Sequence, residues 1–157
     1  MTVVIRPYRK SDWQSLCEIH DPARRDELGY SVGTEAFETL EQAYVEDGLF
    51  DNALDVAEID SKAVGFIAYS PSEITWLYVS PDHYRKGIGR ALLQHALQNA
   101  SNNVTLEVLE GNFPALTLYE SLGFRFKERV EGKLSSNEDF PAIGLILQLS
   151  ANPDRSD

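Results

Sequence analysis

The sequence predicts one α/β domain, a central mixed sheet of about seven strands flanked by four helices, in the order β-α-α-β-β-β-α-β-α-β-β. Three observations predict it. At 157 residues the chain has the length of one ordinary domain. Residues 53–79 read as consecutive strands joined by tight turns, which makes antiparallel hairpins. Residues 73–108 read as strand, helix, strand, and a crossover of that kind implies a parallel pair.

Each element has a local reason. TVVIR, 2–6, is a short apolar strand stopped by Pro7. Residues 10–20 carry Trp13, Leu16, Cys17 and Ile19 on a rough helical face after Ser11 and Asp12. The polar, punctuated stretch 21–33 predicts a loop. Residues 34–46 place Phe37, Leu40, Ala43 and Tyr44 at three- and four-residue spacing, a second helix capped by Thr34. Strands follow at 53–59 and 62–70, turned by Asp60-Ser61, and at 73–79 after Pro71-Ser72. GIGRALLQHALQNA, 87–100, is a helix with one wide apolar face. VTLEVLE, 104–110, alternates as a strand. Residues 113–122 form a helix closed by Gly123. Residues 124–130 and 142–149 are the last strands. The domain is expected over 1–150, with 151–157 a polar tail.

Composition excludes several function classes. Hydrophobic residues are 43% and charged residues 25%, ordinary for a packed protein. Cys17 is the sole cysteine, so neither an intrachain disulfide nor a cysteine-held zinc is expected. No apolar run approaches the ~18–20 residues of a membrane span. The start has no signal-peptide pattern, and a cytoplasmic location is expected. The net charge of −11 argues against nucleic acid, whose phosphates need a positive surface. His20, His83 and His95 are scattered without metal-ligand spacing, so no metal is expected.

One basic island breaks the acidity. Residues 81–100 carry Arg85, Lys86 and Arg90 against Asp82 alone. The island joins strand 73–79 to the helix at 87. Gly87 and Gly89 remove side chains, so backbone N–H groups can approach an anion. The helix start adds unpaired donors and the positive end of its dipole. The residues describe a phosphate cradle; glycines that merely relieve a tight corner are the bland alternative. Neither a Walker loop nor a dinucleotide fingerprint is present.

LYVSPDHYRKGIGRALL closely resembles the acetyl-CoA signature of the GNAT family of N-acetyltransferases, Q/R-x-x-G-x-G/A after a strand. It maps onto Tyr84, Arg85, Lys86, Gly87, Ile88 and Gly89, with Tyr84 departing from Gln or Arg at a position that acts largely through its backbone. A second element, Asn112 to Phe124, resembles N-x-x-A-x-x-x-Y-x-x-x-G-F, with Ala115, Tyr119 and Gly123 in place. Residues 1–60 resemble the family only in outline.

The resemblance implies the family's splayed sheet and direct acetyl transfer from acetyl-CoA to an amine in a ternary complex. The pantetheine arm would lie between strands 73–79 and 104–110, against Leu77, Tyr78 and Val79. The cradle Tyr84 to Arg90 would hold the pyrophosphate, and Asn112, Ala115 and Tyr119 would complete the cofactor side. An N–H near Val79 would polarise the thioester carbonyl. By position Tyr119 matches the family's general acid; its bland alternative is a core aromatic spaced with Leu116 and Leu122. Glu73 stands where several members keep a catalytic glutamate acting through water, and by period two it shares a face with Thr75, Leu77 and Val79.

The acceptor wall is expected from loops 21–33 and 131–141, which hold Asp21, Asp26, Glu27, Glu131, Glu138 and Asp139 but also Arg24 and Arg25. A cationic small-molecule or peptide amine is favoured; Arg24 and Arg25 could instead clamp a carboxylate. A homodimer is left open. So are a non-catalytic acyl-CoA sensor on the same fold and an enzyme using another acyl-CoA. Tyr119 and Glu73 argue against the sensor, which needs neither.

Overall fold

Apolar alternation and helical periodicity generate the expected order of elements in the computed structural model, which describes residues 2–134 and 140–150. These are β1 (Val4–Pro7), α1 (Trp13–Gly29), α2 (Leu40–Ala43), β2 (Ala53–Ile59), β3 (Lys62–Tyr69), β4 (Ile74–Val79), α3 (Ile88–Leu97), β5 (Val104–Leu109), α4 (Phe113–Ser121), β6 (Arg125–Lys133) and β7 (Pro141–Leu149). The polar tail 151–157 lies outside the described residues, as do Glu138 and Asp139.

The strands form two antiparallel sheets, ordered β1-β2-β3-β4 and β5-β7-β6. The expected parallel pair is reduced to one bridge, Glu73 with Thr105. Beyond it β4 and β5 part, so the mixed sheet is split along that seam. Two cores hold the layers. On one face Ile88, Leu92, Leu93 and Ala96 of α3 pack on Ile67, Val104, Leu106 and Val108. On the other Leu16 and Ile19 of α1 pack on Val56, Phe66 and Trp76. Leu92 and Leu93 are fully buried, each a gain of about 1.5–3 kcal/mol over exposure.

Two expectations about the first half are corrected. Residues 21–29 are not loop; α1 runs through Pro22 to Gly29. Proline costs a helix its hydrogen bond and a clash. Burial of Ala23 and Leu28 offsets that cost through tertiary contacts that local composition does not reveal. The expected helix 34–46 is instead a 3₁₀ turn, Thr34–Ala36, followed by the single turn of α2. Its cap is Thr39, whose Oγ1 accepts from the Gln42 N–H at 3.2 Å, rather than Thr34.

Asp12 ties β1 to the start of α1. Arg6 donates to both its oxygens at 2.8 Å, and the Arg9 N–H adds a third bond. The Arg6 hydrogen bonds hold the Asp12 carboxyl below the usual carboxylate range. A carboxyl depressed on folding stabilises above its unfolded pKa, and that stability is lost as pH falls through the folded value. Resistance to unfolding by urea should therefore fall below about pH 4. Asp12→Asn should be less stable at neutral pH and show a shallower acid dependence over the same range.

Candidate active site

The cradle is built where β4 ends. The Ser80 N–H donates to Val64 O at 2.8 Å, and a 3₁₀ turn, Pro81–His83, leads into the basic island. Arg85 and Gly87 both take left-handed backbone, φ 62° and 80°. Gly87 adopts that conformation without a Cβ penalty and caps α3 with no side-chain hydrogen bond, so the first N–H groups of the helix remain donors. Arg85 and Lys86 are exposed beside it. Nδ1 of His83, in the same loop, is buried without a partner. Arg90 instead donates to Ser121 Oγ at 2.6 Å and ties α3 to α4. Glycines, helix start, cations and an orphaned ring nitrogen suit a phosphate-bearing ligand.

Tyr84 uses its side chain, not only its backbone. Its hydroxyl donates to Asp26 Oδ2 of α1 at 3.1 Å. The same stretch of α1 supplies Glu27, whose Oε1 accepts from Tyr78 OH at 2.7 Å and from Arg24. His20 lies edge-on to Tyr78 at 4.8 Å between ring centroids. Sequence reasoning assigned this stretch to a loop and missed its contact with β4. Arg24 is thus held by Glu27, and Arg25 sits over the Phe37 ring at 4.0 Å, so both guanidiniums already have partners within this part of the chain.

Tyr119 is carried by α4, which Asn112 caps by accepting from the Ala115 N–H at 3.3 Å. Its ring is 9% exposed and packs edge-on against Phe124 at 6.0 Å. Burial first, and the Glu27 carboxylate second, push its phenol well above the usual tyrosine range. It therefore keeps its proton at neutral pH.

Leu77 and Val79 face the α3 core, and Tyr78 faces α1. Glu73 is where strand alternation fails. Ala68 pairs with Trp76 but Tyr69 pairs with Ile74, so Thr75 is an extra residue in β4. Such a bulge reverses the alternation beyond it. Ile74 turns to the α3 core, and Glu73 joins Trp76 and Tyr78 rather than Leu77 and Val79. There it opens on a cleft of about 430 Å³ bordered also by Glu46, Asp47, Asp51 and Glu107. Among the described residues the cleft lining carries five carboxylates and no cationic side chain. Glu107 was missed: the alternation of 104–110 opposes it to Val104, Leu106 and Val108, but nothing local says what that face meets.

The remaining candidates are structural. Burial raises the Cys17 thiol, as befits an inert packing residue. His95 lies 2.9 Å from Asp55, which also accepts from Tyr69 at 2.5 Å, anchoring α3 to the sheet. Among the described residues no cluster of His, Cys, Asp or Glu could hold a metal ion. No helix there is long and apolar enough to cross a membrane.

A glycine-capped helix start flanked by exposed cations thus lies beside a seam between two splayed strands. Residues 13–124 match the model of the acetyltransferase (GNAT) family, and the chain belongs to that family. A peptidyl-lysine N-acetyltransferase, YjaB of Salmonella typhimurium, is 29% identical over 93% of this chain and 99% of its own. The chain spans only part of two other curated relatives, 25% and 56% of their own lengths. Among solved structures, apo YjaB from Escherichia coli superposes with a TM-score of 0.74 at 25% identity, covering 97% of this chain and 100% of that one. The yncA structure from Salmonella typhimurium, with acetyl-CoA, shares the fold at a TM-score of 0.69 and 19% identity, covering 98% and 96%.

Proposed function

We propose that this protein transfers the acetyl group of acetyl-CoA directly to a cationic primary amine, with a peptide lysine favoured. One observation carries the proposal: an anion cradle lies at the end of the same strand, β4, whose beginning borders a five-carboxylate cleft. Two ligands of opposite charge can approach the splayed seam from different sides. The YjaB relative, a peptidyl-lysine N-acetyltransferase, supports lysine as the acceptor.

Bound acetyl-CoA supplies an activated thioester carbonyl. The cradle N–H groups, Arg85 and Lys86 hold its pyrophosphate, and the outer edge of β4 at Leu77 and Val79, unpaired beyond Glu73, receives its arm. Tyr119 donates its proton to the departing sulfur. Glu73 takes the proton released by the amine, through water. The carboxylates of the cleft attract and orient the ammonium before that proton is lost.

The test is thiol release from acetyl-CoA with a panel of lysine peptides, polyamines, amino sugars and anionic amines. Cationic acceptors should be preferred, and their KM should rise between low salt and 0.5 M salt as exposed charges are screened. Preference for an anionic amine would overturn the acceptor assignment. Acetyl-CoA binding without thiol release from any amine would favour a sensor. Glu73→Gln should remove the acidic limb of the kcat/KM profile or move it upward; an unaltered rate and profile would leave proton removal to another group.

A further inference from the structure

β7 carries a glycine in mid-strand, between Ile143 and Leu145. A strand glycine weakens its strand and often marks the close approach of another group. Gly144 has ordinary strand backbone, so no positive φ demands it. Its neighbours do. A Cβ built at Gly144 would lie 2.6 Å from Glu107 Oε1, 2.7 Å from Cδ and 2.9 Å from Cγ. The whole end of the Glu107 side chain therefore rests on the bare backbone of β7.

The register explains the contact. Glu107 pairs with Ile146 and Leu109 pairs with Gly144, so Glu107 and Gly144 are diagonal neighbours on one face of the β5-β7 ladder. That face is the one opposite Val104, Leu106 and Val108 and their core. It brings Glu107 to the acidic cleft, with Glu73 on the other strand of the splay. Any side chain at 144 would make Glu107 swing away.

We infer that Gly144 is a positioning residue for the acceptor: its missing side chain seats the Glu107 carboxylate in the cleft, where it binds the ammonium group opposite Glu73. The inference rests on the acetyltransferase function proposed above. It assigns a role to a residue that touches neither ligand and that neither sequence motif contains.

The experiment is a double-mutant cycle on Gly144→Ala and Glu107→Gln, with steady-state kinetics on a cationic lysine peptide and a thermal melt with acetyl-CoA. Alanine suits strand backbone, and Glu107 is an exposed, flexible side chain, so Gly144→Ala should fold and keep its response to acetyl-CoA. Its KM for the peptide should rise about three- to fivefold, the scale of one exposed ion pair. Glu107→Gln alone should raise KM similarly, and Gly144→Ala added to Glu107→Gln should change nothing further. An unchanged KM in Gly144→Ala, or the same rise in the Glu107→Gln background, overturns the inference while the function stands. Should Gly144→Ala not fold, Glu107→Asp, whose shorter stem withdraws the carboxylate from its seat, must give the same rise in KM. Wild-type protein that releases no thiol with any amine overturns the function and the inference together.

Discussion

Gly89→Glu should remove most of the thermal shift that acetyl-CoA gives the wild-type protein. A Cβ at Gly89 would meet Leu118 at 3.4 Å and Val79 at 3.8 Å, both ordinary contacts, so space for the first atom exists. The position is the second residue of α3, where glutamate is a better helix former than glycine and a negative charge suits the helix N-terminus. The fold should survive and could gain slightly. The ligand should not. The new carboxylate occupies the cradle and competes for the N–H donors that a pyrophosphate needs. Charge-assisted hydrogen bonds are worth roughly 1.5–3 kcal/mol each, so losing two removes at least a hundredfold in affinity. Cofactor at about 100 times its dissociation constant stabilises by about 2.7 kcal/mol, or roughly 5–10 °C for a domain of this size. At the same concentration the variant should keep at most about 0.4 kcal/mol of this, a shift of roughly 1–2 °C. A full shift in a folded Gly89→Glu protein would sink the cradle assignment.

Tyr119→Phe should cost about a hundredfold in kcat with acetyl-CoA affinity nearly unchanged. Phenylalanine keeps the ring and its packing against Phe124 at 6.0 Å. Only the hydroxyl is lost, and with it the proton for the departing thiolate. General acids contribute about 10²–10⁴ in rate, and a thiolate, already a good leaving group, belongs at the low end. The raised phenol pKa adds a second observable. Tyr119 holds its proton beyond the usual tyrosine range, so the wild-type rate should show no loss at about pH 10 from its ionisation. The measurement needs single-turnover conditions, where chemistry limits the rate. A variant within twofold of wild type would return Tyr119 to a packing role.

Much of the fold is legible because it is written in contiguous residues. The Val104–Leu109 alternation, the apolar face of Ile88–Leu97 and the Asp60-Ser61 turn each specify an element locally. The cradle is legible for the same reason. Left-handed backbone at Gly87, an uncapped helix start and adjacent cations are all properties of one short segment. Asn112 as the cap of the helix bearing Tyr119 is likewise local.

The acceptor side is different, since it is assembled from 46–51, 73 and 107, which no local period connects. Strand alternation placed Glu73 on the face of Leu77 and Val79. One extra residue at Thr75 moves it to the other face, because the face of a strand residue depends on register with its partner, and register is a tertiary property. Residues 21–29 were polar enough to read as loop, yet Ala23, Leu28 and the Glu27–Tyr78 hydrogen bond hold them helical. By itself the sequence determined the order of elements, the family and the glycine-capped, cation-flanked start of α3, since short-range chemistry encodes them. Only the tertiary structure decided which carboxylates share a cleft, because that follows from where separate strands and helices pack.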